Sequence, residues 1–289
     1  MSQEPPLHRI EAVELAAALA TAGTRPVVAV DCRHDLSHPD LGPRQFGTAH
    51  IPGAVFAHLD HDLSGPVTAQ SGRHPLPDRF ALAKFLGAAG IDADTHVVAY
   101  DQDKSMFAAR LWWLLRWLGH ERVSVLDGGL AAWQAAGLPL HGTPTARSAR
   151  TFSVRPALAQ TVTTAQVQRE LGVGRMLLLD ARAPDRFAGR NETLDSKAGH
   201  VPGARNQPFA LNLDGDGRLR SAAALRALWS EVLGDTPPAQ VVAMCGSGVT
   251  ACHNLLAMEL AGLPGARLYA GSFSEWIRDP ARKVATGPV

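Results

Sequence analysis

The sequence is poor in cysteine, with three in 289 residues, and its charges nearly cancel, leaving a formal +1. Cys32, Cys245 and Cys252 cannot all pair and show no zinc-ligand spacing. That excludes a disulfide scaffold and points to a reducing cytoplasm with at least one functional thiol. Lys and Arg are scattered rather than gathered in a stripe, which argues against nucleic acid as a partner. No run approaches the roughly 20 apolar residues of a membrane span, so no membrane is implied. The Ala/Leu stretch within Met1 to Gly23 is broken by Glu11 and Glu14 and has no basic segment before it, so it does not read as a secretory signal. No Ser/Gln-rich tract or charge block favours disorder. A small-molecule substrate fits what remains.

What the chain does have is one repetition, the feature that fixes domain organisation without any fold assumption. Val27-Val28-Ala29-Val30-Asp31-Cys32-Arg33 is echoed by Leu177-Leu178-Leu179-Asp180-Ala181-Arg182. Ala49-His50-Ile51-Pro52-Gly53-Ala54 returns as Gly199-His200-Val201-Pro202-Gly203-Ala204. His96 to Asp101 faces Gln240 to Cys245, and Leu126 to Trp133 faces Tyr269 to Trp276. The four matches keep their order and nearly constant separation, so the chain is a duplication. A Thr/Ser/Pro/Arg-rich linker over 143–156 is expected between a first domain at 1–142 and a second at 157–289.

Each half alternates short β-branched runs with amphipathic helical patterns. The strands are expected at 27–30, 96–100 and 123–126, then at 176–179, 241–244 and 267–269. Helices are expected at 79–89, 106–118, 222–233 and 250–261. Uninterrupted apolar strands between helices predict an α/β fold: two tandem domains, each a mainly parallel sheet flanked by helices.

The chemistry concentrates where the apolar run at 241–244 enters Cys245-Gly246-Ser247-Gly248-Val249-Thr250 and a helix begins. Ligands of open α/β sheets sit at the carboxyl ends of strands. Gly246 and Gly248 let successive N–H groups turn inward as an anion-binding nest, and the helix N-terminus adds partial positive charge. The same donors favour a thiolate, which makes Cys245 a nucleophile. A Cys-based phosphatase needs an arginine six positions on to hold the phosphoryl oxygens, and that position is Ala251, so phosphoester hydrolysis lacks its electrostatic stabilisation. A persulfide carries one charge on its outer sulfur and needs only backbone donors. Sulfur transfer is therefore the expected chemistry, with no metal and no organic cofactor.

These residues resemble the tandem-domain rhodanese sulfurtransferases over essentially the whole chain. The carriers are Asp180-Ala181-Arg182, Gly199 to Ala204, the Cys245–Thr250 loop, and Ala270-Gly271-Ser272 before Trp276. The resemblance implies a catalytic second domain and an inactive first one, in agreement with Asp101 at the place of Cys245. It also implies a substrate code: members that use thiosulfate tend to carry basic residues in the loop, whereas those acting on 3-mercaptopyruvate carry Gly-Ser-Gly-Val-Thr, as here. The expected function is transfer of sulfur from 3-mercaptopyruvate to cyanide or a thiol, with a thioredoxin-like protein among the acceptors. Thiosulfate:cyanide transfer by the same cysteine is the alternative, and a non-enzymatic sulfur carrier or binding module a further one.

The family's substrate-binding arginine matches Arg186, suited to a carboxylate. Its second arginine has no direct match, because the stretch to His200 is shorter, and Arg190 is the substitute unless it is simply a solvated surface residue. Gly246, Gly248, Val249 and Thr250 would line the donor. A Ser/His/Asp relay for the donor's thiol proton would comprise Ser247, His74 and Asp62, with Asp60 the rival of Asp62 and a packed loop histidine the plain reading of His74. With His74 in the first domain, such a relay would need both domains to face one cleft. Cys32, Cys252, Trp112, Trp113 and Trp117 read as packing residues. The recurring pairs His50/His200 and Asp31/Asp180 read as structural.

Overall fold

The computed structural model describes residues 8–21 and 26–287. The stretch weighed as a signal segment therefore lies partly outside the described residues, at Met1–Leu7 and Ala22–Gly23. Among the described residues no helix is long and apolar enough to cross a membrane. The chain divides into two compact units. One comprises residues up to Ser64, Pro77–Leu158 and Gly215–Leu219; the other comprises Gly65–Leu76, Ala159–Asp214 and Arg220 onward. The division falls at Leu158/Ala159, and each unit takes in a short segment from the other repeat.

The first unit runs β1 (Arg9–Ile10), α1 (Ala12–Ala20), β2 (Val27–Asp31), α2 (Leu41–Thr48), β3 (Val55–Phe56), α3 (Arg79–Ala88), β4 (His96–Tyr100), α4 (Ala108–Trp117), β5 (Val123–Leu126) and α5 (Gly129–Ala135). Its five strands are all parallel, in the order β1-β5-β4-β2-β3. Ala29, Val98, Tyr100 and Leu126 share one sheet face, closed by Leu15 of α1, Phe46 of α2 and Trp133 of α5. The alternate residues Val28, Val97, Ala99 and Val125 are buried on the other face, and α4 packs on β4 and β5. Both faces are covered, which is why these strands carry no polar alternation.

The second unit runs α6 (Thr164–Leu171), β6 (Leu177–Asp180), α7 (Pro184–Phe187), β7 (Arg205–Asn206), α8 (Ala222–Leu233), β8 (Val241–Met244), α9 (Thr250–Leu260), β9 (Arg267–Leu268) and α10 (Ser272–Trp276). Its parallel strands are ordered β7-β6-β8-β9. A parallel bridge from Thr161 to Leu268 stands where β1 pairs with β5 in the first unit. The two sheets thus have one topology. One face is closed by Val167, Phe187, Phe273 and Trp276, the other by Leu225 and Trp229 of α8 with Ala257 and Met258 of α9. Thr163 opens α6 with a reciprocal capping box, and Ser221 caps α8.

The repeated motifs are repeated structural devices. Arg33 forks onto the Asp31 carboxylate and reaches Ala49 O, and Arg182 does the same with Asp180 and Gly199 O. These pairs tie the end of β2 or β6 to the turn before His50 or His200. His50 Nδ1 bonds Phe46 O while its ring stacks on Phe46; His200 repeats this on Phe187. Cys32 and Cys252 are buried and in no disulfide, and Trp112 and Trp113 are core residues.

Candidate active site

In the second unit β8 ends at Met244, α9 begins at Thr250, and the intervening loop is held from the side by residues 269–274. The Cys245 N–H donates to Ser272 Oγ (3.1 Å), and that hydroxyl donates onward to Tyr269 O (2.9 Å). The carbonyls of Cys245 and Gly246 accept from Phe273 N–H and Ser274 N–H. Ser272 reaches this position with φ +55°, a left-handed conformation unusual for a residue other than glycine. Gly248, at φ +79°, lies so close to Ala270 that a Cβ there would sit 2.3 Å from its carbonyl oxygen. This approach lets Gly248 N–H point at Cys245 Sγ (3.1 Å). Cys245 is buried, 2% exposed, with a backbone donor on its sulfur and the N-terminus of α9 behind it. Val249 is buried at the helix start and Thr250 is half-buried.

Gly246 leaves space for cations. A Cβ built on it would meet Arg73 Nη2 at 2.8 Å and Arg186 Nη2 at 3.5 Å. Arg186 comes from α7, in the stretch that follows β6. Arg73 arrives from the segment Gly65–Leu76, where Gly72 packs so tightly on Gly271 that a Cβ would stand 2.5 Å from the Gly271 carbonyl oxygen. Arg73 N–H donates to Ser274 Oγ (3.0 Å), and Arg278 Nε to Ser71 O (3.0 Å). Burial draws the Arg73 guanidinium below its usual range, and the nearby Cys245 charge acts in the opposite direction. Two carboxylates meet these cations. Asp195 pairs with Arg73 and lies 3.2 Å from Arg186; Glu192 binds Arg186 through Nε and Nη2 and lies 3.5 Å from Arg182. Arg190 is exposed, so the second guanidinium beside Gly246 is that of Arg73.

His74 follows Arg73, and its Nδ1 lies 2.7 Å from Ser247 Oγ, with both residues buried. By sequence order His74 falls in the first repeat, yet its segment packs in the second unit, so this contact needs no cleft between units. Asp62 belongs to the first unit, where its carboxylate accepts His58 N–H (2.8 Å) and its own N–H donates to His58 O, closing a turn. Burial raises the Asp62 pKa. Among the described residues one group has metal-ligand atoms within 4.8 Å of one another, His34, His58 and Asp60. The Asp60 N–H donates to His58 Nδ1 (3.1 Å), which commits that lone pair to the turn.

The first unit shows what the loop becomes without its thiol. Asp101 stands at the end of β4, and its carboxylate accepts the N–H groups of Ser105, Phe107 and Ala108 at 2.8–3.2 Å. A side-chain anion fills the nest that the second unit offers to sulfur. Burial pushes the Asp101 pKa up to about 6 against those three hydrogen bonds. A cavity of about 220 Å³ opens beside it, lined by Arg33, His34 and Lys104 among others.

A duplicated parallel α/β unit, with a cysteine-headed anion nest in the second copy and a carboxylate in the first, defines the class. The rhodanese-like domain model matches residues 11–136 and 163–279. The chain is 49% identical over 263 residues to a protein of Pseudomonas aeruginosa named a probable 3-mercaptopyruvate sulfurtransferase, covering 90% of this chain and 93% of that one. It is 39% identical over 291 residues to the putative thiosulfate sulfurtransferase SseB of Mycobacterium tuberculosis, covering 96% of each. A 3-mercaptopyruvate sulfurtransferase structure from Leishmania major superposes with a TM-score of 0.84 at 31% identity, covering 97% of this chain and 77% of that one. This chain belongs to the rhodanese family.

Proposed function

We propose that the second unit is a sulfurtransferase that takes sulfur from 3-mercaptopyruvate onto Cys245 and passes it to cyanide or a thiol. The observation that carries this reading is the convergence at one loop of three groups. They are the Cys245 sulfur with its Gly248 N–H, the Ser247–His74 pair, and the Arg73 and Arg186 guanidiniums over Gly246. An α-keto acid thiol asks for each: a cation pair for its carboxylate, a proton path for its thiol, and a nucleophile for its sulfur.

The Cys245 thiolate attacks the donor sulfur, and the sulfur–carbon bond breaks with its electron pair going to carbon. The donor's thiol proton, passed through Ser247 Oγ and His74 Nδ1, reaches that carbon and gives pyruvate. The sulfur stays as a Cys245 persulfide, whose outer atom the nest's N–H groups stabilise. Cyanide or a thiolate then attacks the outer sulfur, and Cys245 leaves as the thiolate. Every atom and charge is accounted for without a cofactor. The three cysteines, none in a disulfide, fit a reducing cytoplasm, where a thioredoxin-like dithiol would serve as acceptor.

Thiosulfate is the second reading, favoured by Arg73. The loop sequence is neutral, but that guanidinium brings beside it a cation suited to a dianionic donor. Turnover of wild type and Cys245→Ser with both donors tests the two readings. Faster turnover with 3-mercaptopyruvate, no activity in Cys245→Ser, and a mass gain of one sulfur atom on Cys245 are expected. Equal or faster turnover with thiosulfate overturns the donor, and full activity in Cys245→Ser overturns the mechanism.

A further inference from the structure

The two guanidiniums that the proposed donor requires already hold a carboxylate. Asp195, its side chain 2% exposed, pairs with Arg73 and lies 3.2 Å from Arg186. Its Oδ2 stands 3.7 Å from the position a Cβ on Gly246 would take, one residue from the nucleophile. Glu192 also binds Arg186, through Nε and Nη2. The local charges balance: Arg73, Arg182 and Arg186 against Asp180, Glu192 and Asp195. A donor carboxylate added to this set would leave one surplus negative charge beside the buried side chains of Asp195 and Glu192, which is costly.

Resting on the sulfurtransferase reading, we infer that Asp195 is an internal stand-in for the donor's carboxylate: it occupies the Arg73–Arg186 site at rest and is displaced when an α-keto acid binds. The loop that carries it is built for such movement. No helix or strand spans 189–199. Its stem is clamped, with Gly189 (φ +76°) packed on Gly199 (φ +119°), and Gly199 against Ala285. Asp195 is tied toward the loop tip through its ion pairs and through Glu192 Oε1, which accepts Leu194 N–H and Asp195 N–H. Neighbouring Thr193, Leu194 and Ser196 are exposed, so the tip lies at the surface. The three guanidiniums and three carboxylates neutralise one another until a competing carboxylate arrives, and Arg73 and Arg186, 26% and 20% exposed, can be reached by one.

Pyruvate, the product that shares the donor's carboxylate, is the probe. Its affinity is measured calorimetrically in Cys245→Ser with and without Asp195→Asn. If Asp195 fills the site nine-tenths of the time, removing its charge tightens pyruvate by about tenfold. Unchanged or weaker binding, the result if Asp195 merely positions the arginines, overturns the inference, as does absence of pyruvate binding in both proteins. A second measurement needs no variant. In wild type, amide exchange over 190–198 should speed up on saturation with pyruvate, and unchanged or slower exchange overturns the inference. A wild type that binds pyruvate but never loads sulfur onto Cys245 would instead refute the proposed function, leaving the carboxylate competition to be read from binding alone.

Discussion

His74 Nδ1 and Ser247 Oγ lie 2.7 Å apart although 173 positions separate them in the chain. If the pair moves the donor's thiol proton, its loss should be felt by a donor that has such a proton and spared by one that lacks it. His74→Ala and Ser247→Ala should each lower kcat with 3-mercaptopyruvate by about 100-fold or more, the usual yield of general acid–base catalysis. The loss with thiosulfate should be far smaller. Equal losses with both donors would make the pair a structural prop for the loop.

Arg73 should act on donor binding. Arg73→Ala is expected to raise KM for 3-mercaptopyruvate about 10- to 100-fold, the range for losing a charge-assisted hydrogen bond, with a smaller change in kcat. Arg73→Lys should recover part of the loss. Arg190→Ala, at an exposed position, should leave both constants near wild type.

Ser272 combines strain with a hydrogen bond. Ser272→Gly relieves the left-handed backbone but removes the acceptor of Cys245 N–H, whereas Ser272→Ala keeps the strain and loses the same acceptor. Denaturant unfolding should find the alanine variant less stable than the glycine variant by about 1 kcal/mol. Both should be slower in sulfur loading than wild type. A glycine variant with full activity would leave Ser272 Oγ without a part in setting the loop.

Asp101 gives the first unit a pH dependence. Its folded pKa of about 6 stands above the 3.8 of the unfolded chain, so folding takes up a proton between those values. Its contribution to stability is therefore greatest below about pH 4 and is lost as pH rises through about 6. The gap between the folded and unfolded values corresponds to about 3 kcal/mol as an upper scale. Unfolding of wild type and Asp101→Asn compared from pH 4 to pH 7 should show wild type losing ground steadily to the variant. A pH-independent difference would mean that the three backbone N–H groups keep Asp101 ionised throughout.

Much of the architecture was legible because it is written twice. The apolar runs ending in Asp31 and Asp180 became strands buried on both faces, and the paired Arg33/Arg182 and His50/His200 proved to be one structural device used in each copy. The Cys245 loop was legible because strand, glycines and helix follow one another along the chain. Arg73 was not. It precedes His74 in a stretch without secondary-structure periodicity, and it reaches Gly246 only because Gly72 allows contact with Gly271. The part of Ser272 was not legible either: its match in the other repeat is Gly129, which takes the same positive φ without a hydroxyl, so the repeat gives no sign that a hydroxyl holds the loop. Nothing in the spacing of the acidic residues at 192 and 195 places their side chains against the guanidiniums of Arg73 and Arg186.

Gly65–Leu76 packs with the second unit and Gly215–Leu219 with the first. A polypeptide severed at Leu158/Ala159 would yield a carboxy-terminal fragment that keeps Cys245 but has lost Arg73 and His74. Each repeat therefore lends a segment to the other unit. If Arg73 and His74 act as proposed, a gene fission between the copies would cost activity even though one copy carries no thiol at the end of β4.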